Sequence, residues 1–231
     1  MDTENTIYDM CLVQIEFGNG IVNRQKATGS IIKFGNNLLL ATAAHCIFDT
    51  YTKSFTTNLN IYIYIEKLKK RYTISKAYIH KKWIEQGDLQ YDTAFALFNT
   101  DTFDLNCYNQ YAIEPKFNLS QDLYYSIKGL TPRYLKILTK STTVSGKATQ
   151  HKEYPNIIQG IKCNNKNGMS GGPWLTMYEG QVVQNSVSSF SFKNNNEILW
   201  SPYWGKEIES VLHVACGIHI DSENIIVKKY I

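Results

Sequence analysis

The stretch NKNGMSGGPW, residues 165–174, sets one serine, Ser170, among three glycines with a proline and a tryptophan directly behind. Glycine lets a backbone turn sharply and lets another molecule approach the main chain, and proline ends whatever regular pairing follows. Ser170 is therefore expected on a tight turn, presented outward. Alone, a serine among glycines is an ordinary turn residue. Its meaning depends on what the rest of the chain can bring to it.

Two other stretches supply partners. In LLLATAAHC, residues 38–46, an apolar strand runs into Ala43, Ala44 and His45, so small residues leave room for one imidazole at the strand end. In YDTAFALF, residues 91–98, Asp92 begins a strand whose continuation is almost wholly apolar. Burying that carboxylate is costly unless something pairs with it. His45 is the natural partner: a carboxylate bound to one ring nitrogen fixes the tautomer and leaves the other nitrogen free to take a proton. Such a base would make Ser170 a nucleophile, because a hydroxyl does not ionise unaided at neutral pH. The backbone of Gly168, Met169 and Ser170 is the candidate oxyanion-binding turn, with the N–H groups of residues 168 and 170 converging on the developing charge. Asp88 competes with Asp92 but does not precede the Ala-apolar strand. His80 in YIHKKW and His151 in TQHKEY, among charged neighbours, are expected at the surface, and His213 is expected to face solvent or a partner.

Composition bounds the alternatives. A chain of 231 residues with 43% hydrophobic content suits one large domain or two small barrels sharing an interface. With 24 Lys and Arg against 20 Asp and Glu, the formal charge of +4 is mild, and the densest basic run, Lys67 to Arg71, reads as a solvated hairpin. No nucleic-acid partner is expected. Five cysteines, odd in number and widely spaced without a CxxC pair, argue against a zinc site or a disulfide framework, so neither metal nor cofactor is expected. The start MDTEN carries acidic residues where a signal peptide carries positive charge, and no stretch approaches membrane-span length. If Met1 is the natural start, a cytoplasmic protein with reduced thiols is expected.

Short β-type runs dominate, among them LVQIEF, ATGSIIKF, LNIYIYIEKL, YTISKAYIH, TAFALF, LYYSIKGL and STTVSGKAT, separated by Gly, Asn and Asp turns. That spacing predicts an antiparallel sandwich or barrel. One helix is predicted in GKEIESVLHVAC, where Ile208, Val211, Leu212 and Ala215 form an apolar stripe. The strand-like NIIVKKYI after it either returns to the body of the protein or leads into a further element.

The strings TAAHC, DTAFAL and GMSGGP, in the order His, Asp, Ser, resemble the corresponding motifs of the trypsin/chymotrypsin-like serine proteases. VSSFS, residues 187–191, places Ser189 where that family has the Ser-aromatic strand that pairs with substrate. The likeness runs from about Leu12 to Ala215. It implies an all-β fold of two packed six-stranded antiparallel Greek-key barrels with a C-terminal helix: residues 1–115 carrying His45 and Asp92, 116–204 carrying Ser170, and 205–231 as helix and tail. It also implies that Phe190 walls the primary specificity pocket and that Ser189 supports Asp92. By counting, Asn164 and Asn165 fall at the pocket base, with Ser191 and Ser201 as further lining.

The chain departs from the family at two places. Met169 stands where secreted, zymogen-type members have an aspartate that receives a newly released terminal amine, so activation by clipping is not expected. The preceding strand offers no partner to Cys46, which is then a free thiol. No pocket residue is charged, so a basic P1 residue is not expected. Asp221 and His219 enter the pocket only if the alignment after Ser189 shifts, and such a histidine favours an acidic P1. The implied activity is a bacterial-type serine endopeptidase acting on protein or peptide substrates through an acyl-enzyme. Alternatives are a dormant binding module awaiting an activator and a small-acyl esterase. The C-terminal tail and the hazard of an unspecific cytosolic protease motivate an expected regulatory partner or fused domain.

Overall fold

A computed structural model of the chain describes residues 8–18, 25–101, 103–133, 138–163, 167–192, 195–218 and 221–230. The strands before residue 100 are β1 (Leu12–Gly18), β2 (Gln25–Phe34), β3 (Asn37–Thr42), β4 (Phe48–Asp49), β5 (Ser54–Phe55), β6 (Asn58–Ile63), β7 (Arg71–Tyr72), β8 (Ile74–His80) and β9 (Ala94–Phe98). They are followed by β10 (Glu114–Pro115), β11 (Tyr124–Arg133), β12 (Leu138–Lys147), β13 (Thr149–Gln150), β14 (Ile158–Lys162), β15 (Pro173–Tyr178), β16 (Gln181–Val187), β17 (Phe190–Phe192), β18 (Asn195–Pro202) and, last, β19 (Ile225–Lys229). The helices are α1 (Lys81–Gln86), α2 (Leu105–Tyr108) and α3 (Lys206–Ala215).

Side-chain alternation explains the first barrel. In β6, Leu59, Ile61 and Ile63 turn inward between the more exposed Asn58, Asn60 and Tyr62, the period-two pattern of a strand with one wet face. β3 has no wet face: Leu38 to Thr42 are all buried, because β3 lies between β2 and β9. The eight-stranded sheet runs β19-β8-β9-β3-β2-β1-β6-β7. The second barrel is divided between a five-stranded sheet, β10-β16-β15-β11-β12, and a four-stranded one, β13-β14-β18-β17. The all-β, two-barrel architecture with a C-terminal helix is thus present, with strand numbers that differ from six and six. One reason is the tail, which returns as β19 and pairs antiparallel with β8 from Ile225↔His80 to Lys229↔Lys76.

α3 buries the stripe its spacing predicts, Ile208, Val211, Leu212 and Ala215, in the first barrel's core. A helix of this length is marginal alone, and burying each large apolar side chain contributes roughly 1.5–3 kcal/mol, which fixes it on the barrel. Between the barrels, Cys11 and Leu12 of the amino-terminal segment pack on Leu130 of β11. Polar side chains of β2 cross the same boundary: Ser30 Oγ donates to Gln184 Oε1 at 2.7 Å.

One surface expectation fails and another holds in part. His80 is 1% exposed, because its ring stacks on Tyr91 at 3.9 Å and its Nδ1 accepts the Lys82 N–H at 3.2 Å as the N-cap of α1. Of the lysines beside it, Lys81 pairs with Glu85, and Lys82 reaches the Tyr91 hydroxyl at 3.3 Å, past the ring that covers His80. His151 is half-buried, its ring 4.7 Å from that of Trp200 and 5.2 Å from that of Phe192. His213 is half-buried beside Phe34, with ring centroids 5.4 Å apart.

Candidate active site

Asp92 follows a single 3-10 turn, Leu89–Tyr91, whose N-cap is Asp88: its carboxylate accepts the Gln90 N–H at 3.1 Å. The competing aspartate is therefore a cap, and the turn delivers Asp92 to the interior, 2% exposed. There Asp92 Oδ1 accepts the backbone N–H of His45 at 2.8 Å, and Oδ2 meets His45 Nδ1 at 2.8 Å. Ser189 Oγ also donates to Oδ2. His45 sits in the middle of a one-turn 3-10 helix, Ala44–Cys46, entered from Ala43; Ala43, Ala44 and Cys46 are fully buried, while the imidazole stays half-exposed. The two-point grip on Asp92 fixes both the backbone and the ring of His45.

Burial opposes a charge on His45, but the adjoining Asp92 carboxylate outweighs it and holds the imidazole well above the usual histidine range. Burial likewise opposes ionisation of Asp92. There the His45 charge and the hydrogen bonds from His45 and Ser189 prevail, holding the carboxyl below its usual range. The two shifts both favour the charged pair.

Ser170 is half-buried, on a turn clamped through its main chain. Thr28 N–H donates to Ser170 O at 2.8 Å, Gly171 N–H to Ser188 O at 2.6 Å, and Ser188 N–H to Gly172 O at 2.8 Å. Thr28 Oγ1 donates to Gly168 O at 2.6 Å while accepting the Leu130 N–H at 2.7 Å. Gly171, at φ +76°, lies so tightly against β2 and β3 that an added Cβ would stand 3.0 Å from Ala43 N. That contact draws the serine turn to the end of β3, two residues before His45. Gly168 has φ +94°, in the region that favours glycine, and among the described residues neither its N–H nor that of Ser170 is taken by a backbone carbonyl. Met169 is fully buried in the second core with Cys163, Trp174 and Leu199, held by packing where a charge would need a partner.

The specificity candidates fare unevenly. Phe190 and Ser191 lie half-buried on β17, and Ser191 Oγ donates to Ile198 O at 2.6 Å. Ser201 is fully buried with its hydroxyl on Gln159 O at 3.4 Å, so it does not line an open pocket; β18 turns that side chain toward β14. Asn164, Asn165 and His219 lie outside the described residues, and Asp221 is exposed. A cavity of about 800 Å³ elsewhere, lined by residues that include Asp9, Gln14, Lys26, Tyr62 and Lys67, contains none of these groups. Sequence reading missed Thr28 and Ser188, which lash the turn. A threonine inside a buried strand, in KATGSII, was the available signal for the first.

Two β-barrels, with a histidine and an aspartate on the first and a glycine-flanked serine turn on the second, define the chymotrypsin-like serine protease fold. The protease Anisep from Arthrobacter nicotinovorans superposes with a TM-score of 0.76 at 28% identity, over 90% of this chain and 96% of that one. The thermostable serine protease AL20 from an extremophilic microorganism gives 0.78 at 23%, over 92% and 100%, and a Glu endopeptidase gives 0.73 at 18%, over 90% and 91%. No family model matches the chain, and no curated protein matches its sequence.

Proposed function

We propose that the protein is a serine endopeptidase. Ser170 Oγ attacks the scissile carbonyl as His45 Nε2 takes its proton, and the oxyanion gathers the N–H groups of Gly168 and Ser170. His45 returns the proton to the departing amine, leaving an ester on Ser170. Water, deprotonated by His45, then hydrolyses that ester and releases the acid. Asp92 keeps Nδ1 protonated and steadies the imidazolium, and Ser189 holds Asp92. The observation that carries this reading is the His45–Asp92–Ser189 network beside a serine turn seated on Ala43.

An extended peptide is the fitting substrate. β17 stands last in its sheet, β13-β14-β18-β17, the place where a substrate strand adds in this reading. Met169, seated by apolar contacts, supports an enzyme competent without release of a terminal amine. The tail that suggested a fused or partner element is engaged as β19, which removes that motive for one.

Intact-mass analysis after treatment with a fluorophosphonate probe tests the reading. One adduct on the wild type and none on Ser170→Ala is expected, with turnover abolished and the melting temperature unchanged. No adduct on the folded wild type refutes it.

A further inference from the structure

Gly168 is preceded by an asparagine, Asn167, and the chain holds one other Asn-Gly pair, Asn19–Gly20, outside the described residues. Such a pair reacts with itself in water. The main-chain nitrogen of the second residue attacks the side-chain carbonyl carbon of the asparagine, and glycine, lacking a Cβ, leaves that nitrogen open. This is one reason why asparagine counts among the thermolabile residues. Folding can hold an asparagine out of the reaction. The buried Asn185 is so held: its amide accepts the Tyr125 hydroxyl and donates to Lys116 O, each at 2.7 Å.

Asn167 has no such restraint. It is exposed on the turn, and among the described residues no partner takes its amide. Gly168 has φ +94°, and its N–H, the attacking group, is taken by no backbone carbonyl among the described residues. Downstream the main chain is pinned. Thr28 Oγ1 donates to Gly168 O at 2.6 Å, and the next residue, Met169, is fully buried. A change in the link between residues 167 and 168 therefore falls on the Gly168 nitrogen, which carries one of the N–H groups assigned above to the oxyanion.

We propose that Asn167 is a site of self-modification that ends the working life of the Ser170 site. The Gly168 nitrogen bonds to Asn167 Cγ, its proton passes by way of water to Nδ2, the Cγ–Nδ2 bond breaks and ammonia leaves. The product is a cyclic imide whose ring nitrogen bears no hydrogen, so one oxyanion donor is gone. Water then opens the ring at either carbonyl. Opening at Cγ restores the ordinary link, with aspartate at 167 and the Gly168 N–H back in place. Opening at the main-chain carbonyl leaves isoaspartate: the chain runs through the side chain, one methylene longer, and the Gly168 N–H is displaced from that of Ser170. The loss of function rests on the hydrolase reading above, while the reaction of the pair does not.

The test ages the full chain in warm, mildly alkaline buffer, as wild type, Asn167→Ala and Asn167→Asp. Peptide mapping follows residues 19, 167 and 185, and an isoaspartyl methyltransferase marks the lengthened link. Fluorophosphonate labelling reads Ser170 in the same samples. In the wild type, imide and isoaspartate are expected to build up at 167 and not at 185. The fraction carrying them is expected to label about 10²–10³-fold more slowly, the effect of losing one oxyanion donor. Aged Asn167→Ala, which cannot cyclise, is expected to label as fast as when fresh. Fresh Asn167→Asp is expected to label like fresh wild type, which separates the lost N–H from the gained charge. An Asn167 as lasting as Asn185, a converted fraction that labels like fresh protein, an equal decline in Asn167→Ala, or a fresh Asn167→Asp as slow as the converted fraction overturns the proposal. A fresh wild type that does not label, yet converts at 167, refutes the hydrolase and supports the modification site.

Discussion

Gly171→Ala probes whether the serine turn is seated on the strand that delivers His45. The added methyl would fall inside 3 Å of Thr42 Oγ1 and of Thr28 O, and 3.0 Å from Ala43 N. None can yield cheaply: two of the three atoms are backbone, and Thr42 is fully buried with its hydroxyl on Thr28 O at 3.0 Å. The φ of +76° adds a second cost, roughly 1–2 kcal/mol for a residue with a Cβ. Overpacking of this kind costs about 1–3 kcal/mol, so the sum is roughly 2–5 kcal/mol. For a chain of this size that corresponds to a melting temperature lower by roughly 4–20 °C. Gly180→Ala is the control, because Gly180 has φ +80° and nothing within 4 Å of its Cβ position, leaving the backbone cost alone. Thermal melts of both variants, with probe labelling of Ser170 beside them, read the difference. Gly171→Ala is expected to melt lower than Gly180→Ala and to label more slowly. Equal melting temperatures, with wild-type labelling in both, refute the seating.

Asp92→Asn is expected to lower kcat by about 10⁴, because the asparagine amide favours the wrong imidazole tautomer, and peptide hydrolysis checks it. Ser189→Ala removes one donor to the Asp92 carboxylate and leaves the grip on His45 intact; steady-state kinetics are expected to show a loss in kcat of about tenfold, with KM little changed. The acid limb of kcat/KM is expected above the usual histidine range, because His45 must shed a proton that Asp92 holds on. A pH profile of peptide hydrolysis shows it, and a limb at the ordinary histidine value contradicts the ion pair.

The candidate site was legible because each of its three residues stands in a string whose neighbours explain its placement: small residues before His45, an apolar strand after Asp92, glycines around Ser170. The α3 stripe and most strands were legible for the same reason, since periodicity is a local property. What escaped is non-local. The Thr28 hydroxyl joins Gly168 across 140 positions and Leu130 across 102, and no spacing in one chain announces such a bond. His80 departs from expectation because adjacent lysines suggest water, whereas the stack on Tyr91, distant from the Lys81–Lys82 neighbours in sequence, covers its ring. The pairing of β19 with β8 depends on where α3 ends in space, which its sequence does not specify.

In the proposed mechanism the electrostatics of His45 and Asp92 set stability against action. His45 is raised in the folded protein, so its share of stability is full below the unfolded histidine value and is lost as pH rises through the raised one. Asp92 is lowered, so its share is full above the unfolded carboxylate value and is lost as pH falls through the lowered one. The pair therefore stabilises most between those two unfolded values, where His45 is charged and cannot accept the Ser170 proton. On the proposed mechanism activity is expected to begin at higher pH, where the histidine contribution is being withdrawn. The rest of the site must then hold the turn without help from that charge. The clamps on Ser170 are suited to this, because Thr28, Ser188 and the Gly171 contact carry no titratable group.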